Sequence, residues 1–134
     1  MLKDIPQLLV EDIAVAIVRE LNPQKEFIWN VYLINFKDTP IDGVLVSSNG
    51  YGVRNGEDVK TSVLRHFLDT VPARSKALIE PIMEDLFGIT NQFWVSFYQN
   101  DKVYDKKYIF LPETIIEDNF IQIPILNAEG VMIM

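Results

Sequence analysis

Residues 27–37 read Phe-Ile-Trp-Asn-Val-Tyr-Leu-Ile-Asn-Phe-Lys, and their alternation decides the fold class. In an extended chain successive side chains point to opposite faces. Phe27, Trp29, Val31 and Leu33 therefore share one face, and Ile28, Asn30, Tyr32, Ile34 and Phe36 the other, until Thr39-Pro40 ends the run. Aromatic and β-branched residues at period two predict a strand. Upstream, Ile13, Val15 and Ile17 alternate with Ala14, Ala16 and Val18 over residues 12–20, a strand covered on both faces or facing a neighbour that needs small residues, which stops at Asn22-Pro23.

Downstream, segments at about 43–53 and 57–67 flank Asn55-Gly56, which suits the two positive φ angles of a type I′ hairpin. Gln92–Gln99 and Val103–Leu111 flank Asn100-Asp101 in the same way, with Phe93, Val95 and Phe97 opposite Tyr104, Tyr108 and Phe110. The middle carries two signals. Val63, Leu64, Phe67, Leu68 and Val71 fall at helical spacing, and so do Leu78, Ile79, Ile82, Met83, Leu86 and Phe87. Pro81 opposes a second helix, where it costs about 3 kcal/mol. The series Val59, Thr61, Val63 continues the hairpin strand. These observations predict a strand to about 67, a turn at Val71-Pro72-Ala73, a strand at about 75–82 and a short helical connection at about 82–88, leaving strand or helix open over 62–71 and 75–87. About seven strands joined by short turns predict an all-β, immunoglobulin-like or fibronectin type III-like antiparallel β-sandwich, one domain over residues 1–134. Glu113–Asn119 reads as a helical turn. Residues 120–134 alternate poorly and are very apolar, so this C-terminal tail is expected to lie against the body or another chain.

Composition narrows the chemistry. Nineteen acidic against twelve basic residues among 134 give a net charge of −7, which speaks against a surface built to neutralise phosphates. The absence of cysteine excludes disulfides, thiolate metal sites and a cysteine nucleophile. Asp4 and Pro6 interrupt any secretory h-region, and Ile13–Val18 is far short of the about 20 residues of a membrane span. A cytoplasmic protein, with no membrane partner, is expected.

Motifs with chemical potential read as structural. After Gly50-Tyr51-Gly52-Val53-Arg54-Asn55-Gly56 come Glu57-Asp58, two negative charges where a phosphate loop needs Lys and Ser or Thr, so the segment reads as a twisted or bulged strand. His66 is the only histidine, and none of Ser47, Ser48, Ser62, Ser75 and Ser96 stands in a nucleophile elbow. The acidic pairs Glu11-Asp12, Glu57-Asp58, Glu84-Asp85 and Glu117-Asp118 lack the spacing of a calcium loop. Lys106 and Lys107 fall on opposite faces of their strand beside Tyr104 and Tyr108 and read as solvated charges that deter edge pairing. No catalytic residue, cofactor or metal ligand is assigned.

The segments DIPQLLVEDIAVAIV (residues 4–18), WNVYLIN (29–35), SSNGYG (47–52), VKTSVLRHF (59–67), IEPI (79–82), VYDKKYIF (103–110) and GVMI (130–133) together resemble a small family of bacterial proteins of uncharacterised function. Some of its members carry the automatic name phenylalanyl-tRNA synthetase alpha subunit. The resemblance implies that family, and through the name a tRNA-linked accessory role, but transfers no catalytic residue. A class II synthetase core needs arginines set in antiparallel strands and a glycine-rich strand-helix unit, whereas this chain has only Arg19, Arg54, Arg65 and Arg74. The leading expectation is a non-enzymatic binding or structural module that contacts an unidentified protein or another copy of itself. Its candidate surface is Tyr51, Arg54, Arg65 and His66, with Ile125, Val131 and Ile133 of the apolar tail. A third reading is a small-molecule binder, whose mark is a pocket of about 300 Å³ or more lined by convergent polar groups.

Overall fold

The computed structural model describes residues 8–134; the expectations for Asp4 and Pro6 lie outside the described residues. Ten strands run along the chain: β1 Ile13–Leu21, β2 Phe27–Asn35, β3 Ile41–Arg54, β4 Glu57–Lys60, β5 Leu64–Val71, β6 Ser75–Pro81, β7 Thr90–Gln99, β8 Lys102–Phe110, β9 Ile121–Ile123 and β10 Ala128–Ile133. They form two antiparallel sheets, one ordered β6-β2-β1-β10-β9, the other β4-β3-β7-β8 with β5 also on β3. The protein is thus an all-β sandwich. Among the described residues no helix is long and apolar enough to cross a membrane.

Alternation sets the core. Ile13, Val15, Ile17, Trp29, Val31 and Leu33 of the first sheet meet Val44, Val46, Phe93, Val95, Phe97, Tyr108 and Phe110 of the second in one buried cluster. Trp29 stands edge-on to Phe87 and Phe120, and Phe97 stacks on Tyr104 with centroids 5.3 Å apart. The other face of β1 is buried as well: Ala14, Ala16 and Val18 pack with Ile34, Ile123 and Leu126. Both predicted hairpin turns have paired positive φ angles, 53° and 79° at Asn55-Gly56 and 53° and 61° at Asn100-Asp101.

The departures from the predicted strands are a break near Thr61, a longer β5 and a paired C-terminal tail, while β6 and the short helical turn after it fall where they are predicted. The expected run through Val59, Thr61 and Val63 breaks into β4 and β5, because Thr61 takes the Gly50 amide on its Oγ1 at 2.7 Å and the pairing with β3 slips by one residue. The helical spacing over residues 63–71 belongs to β5, which runs on to Val71. Pro81 ends β6 and a 3₁₀ turn follows at Glu84–Leu86. The last fifteen residues hold the hairpin β9-β10, whose second strand pairs with β1 so that Val131 faces Ile17 and Ile133 faces Val15. Ten strands replace seven because one return strand is split and this hairpin is added. A 3₁₀ turn at Glu117–Asn119 precedes it.

Candidate functional site

Register places side chains on the outer face of the second sheet in rows. Arg65, Ser47, Trp94 and Lys107 are successive partners across β5, β3, β7 and β8. The next row is Phe67, Leu45, Ser96 and Asp105, and the one on the other side continues through Asn49, Gln92 and Ile109. Each strand buries its alternate residues against the first sheet, so these must point outward. Trp94 is 50% exposed, Tyr98 54% and Phe67 66%. Leu45, Val103 and Ile109 add exposed aliphatic surface. The Lys107 ammonium lies 4.8 Å from the Trp94 ring centroid. Tyr98 lies over Gly43, where any side chain would collide with its ring at 2.8 Å.

A second polar constellation lies between the sheets. Glu80 of β6 accepts from Ser48 Oγ of β3 at 2.5 Å and bonds His66 Nε2 of β5 at 2.8 Å, both through Oε1. A nucleophile triad needs the imidazole between hydroxyl and acid. Here the carboxylate is central and accepts the serine hydroxyl's hydrogen bond itself, leaving the imidazole no contact with Oγ, so the arrangement bridges sheets and does not activate Ser48. The adjoining cleft holds about 200 Å³ and is lined by Ser48, Thr61, Glu80 and Asn91 among others. Asn91 Nδ2 is already spent on the carbonyls of Leu86 and Ile89. A larger hollow of about 440 Å³ lies beside Arg19, Glu20 and Glu129. Its polar groups are likewise engaged: Arg19 pairs with Glu117 and Glu129, and Glu20 accepts from Asn30 and Tyr32. Arg19 also lies over the Phe27 and Phe120 rings. Among the described residues no three histidine or acidic side chains are grouped to hold a metal ion.

The structure separates the residues singled out from sequence. Tyr51 and Arg65 project from the outer face of the second sheet. His66 turns inward to Glu80, and the Arg54 guanidinium donates to the carbonyl of Asp85. Of the C-terminal residues, Val131 is 8% exposed and Ile133 half-buried against the core, while Ile125 sits at the exposed β9-β10 turn. Sequence reasoning missed Trp94, Phe67, Lys107 and Glu80 as site residues. Trp94 had a signal, since a strand that buries Phe93, Val95 and Phe97 must turn it outward. Comparison of the chain with protein families, curated proteins and solved structures found no match.

Proposed function

We propose that this is a non-enzymatic cytoplasmic binding module of the fibronectin type III-like kind, which acts through protein–protein contact on the outer face of the second sheet. The strand order supports the class: with the β9-β10 hairpin set aside, β1-β2-β6 packs on β5-β3-β7-β8, a Greek-key three-on-four sandwich. The observation that carries the function is the half-exposed Trp94 on this face, with exposed Leu45 and Ile109 in the flanking rows of the adjacent strands and exposed Phe67 and Tyr98 further out. Tryptophan, tyrosine and arginine dominate the energetics of protein interfaces, and a contiguous exposed apolar patch marks a contact surface. The lack of cysteine suits the cytoplasm.

A photo-reactive phenylalanine analogue at Phe67, in the full chain expressed in its own cells, tests this reading. A discrete protein adduct is expected from Phe67 and none from the same probe at Leu78, which is exposed on the outer face of the opposite sheet. No adduct at Phe67, or the same adduct from both positions, refutes it.

A further inference from the structure

The charge on this outer face selects its partner, an inference that rests on the face being the binding surface. Arg65 and Lys107 end the row whose inner members are Ser47 and Trp94. Three strand spacings of about 4.8 Å separate them, so their Cα atoms stand about 14 Å apart. Among the described residues neither has a carboxylate within 4.0 Å, which is equally true of Arg54 and the other lysines; what sets these two apart is their place in the row of Trp94. On a chain of net charge −7, two cations without a carboxylate partner in the row of an exposed tryptophan form a local pattern of the opposite sign to the whole.

We infer that the partner is a protein presenting an acidic, apolar surface: carboxylates about 14 Å apart meeting Arg65 and Lys107, on either side of an apolar side chain seated on Trp94. The cations give orientation and exclude basic partners, while the ring supplies the apolar anchor. A nucleic acid fits less well. The flanking rows mix apolar Phe67, Leu45 and Ile109 with uncharged Ser96, Asn49 and Gln92, Asp105 stands beside Lys107 in one of them, and two cations neutralise too few phosphates to hold a polyanion against the net charge.

The test repeats the Phe67 cross-link in an Arg65→Glu/Lys107→Glu chain, with Lys25→Glu/Lys76→Glu, both on the first sheet and its turns, as the control of equal charge change. Thermal unfolding verifies that both variants fold like the parent. The expected result is an adduct at Phe67 that falls at least tenfold in yield with the first pair, persists with the second, and weakens when cells are lysed into 0.5 M salt before irradiation. An adduct untouched by the Arg65/Lys107 reversal overturns the acidic-partner inference and leaves the binding face intact. Equal loss in the control pair, an adduct removed by nuclease, or an adduct of two copies of this chain also overturns it. Absence of any adduct in the parent chain refutes the binding face itself.

Discussion

Tyr108 reaches from one sheet to the other, its hydroxyl donating to the Ile13 carbonyl at 2.6 Å in a fully buried setting. Tyr108→Phe removes the donor and leaves a buried carbonyl without a partner, so about 1–2 kcal/mol of stability should be lost, measurable by urea unfolding. Burial also pushes the Tyr108 hydroxyl well above the usual tyrosine range. Tyr32 rises to about 12 through burial, its hydrogen bond to Glu20 and the charge of that carboxylate. Both phenols are neutral in the fold and ionise more easily in the unfolded chain. Their contribution is therefore intact below about pH 10 and is lost as pH climbs towards 12. The urea midpoint should be unaffected by these groups to about pH 10 and fall above it, less steeply in Tyr32→Phe; a fall no shallower in that variant would clear Tyr32 of any part. Ile125 presents a different case, a β-branched residue at φ 73°. That conformation costs about 1–2 kcal/mol outside glycine and asparagine. The side chain is 37% exposed, so Ile125→Asn gives up some apolar contact as it relieves this strain and should change the melting temperature by no more than a few degrees.

The β9-β10 hairpin depends on one close approach. A side chain at Gly130 would run into the backbone of Ile17 and Val18, with the Val18 Cα 2.8 Å from its first carbon. Gly130→Ala should force β10 off β1 and destabilise by about 3 kcal/mol or more, read as lost amide protection in both strands. This hairpin also shows what the sequence could not convey. Residues 49–61 and 94–108 announce their hairpins through Asn55-Gly56 and Asn100-Asp101, residues that take positive φ at little cost. The β9-β10 connection places Ile125 and Asn127 at positive φ after Pro124, and an isoleucine there gives no turn signal. The break at Thr61 was equally hidden, since it comes from a side-chain oxygen competing for the Gly50 amide. Trp94 was readable from alternation once the buried face of β7 was known. Glu80 was not, because its partners Ser48 and His66 belong to the opposite sheet and lie 32 and 14 residues away.

At the scale of the whole molecule, the sandwich is joined by one apolar core and by polar bridges that include Tyr108 to Ile13, Asn35 to the Val71 carbonyl, and Glu80 to Ser48 and His66. Glu80→Ala should strip both side chains of their acceptor and cost about 1–3 kcal/mol, whereas Glu80→Gln keeps an oxygen in place and should cost clearly less. Equal losses would show that the charge, not the hydrogen-bond geometry, holds the bridge. The pairing of β1 with β10 brings residues 15–19 against residues 129–133. A chain made from its N-terminus onward thus has its most apolar strand ready long before its neighbour exists. During synthesis the free edge of β1 must be kept from other strands until residues 128–133 leave the ribosome. Closure of the first sheet is a late event, and the chain is most exposed to misassembly just before it.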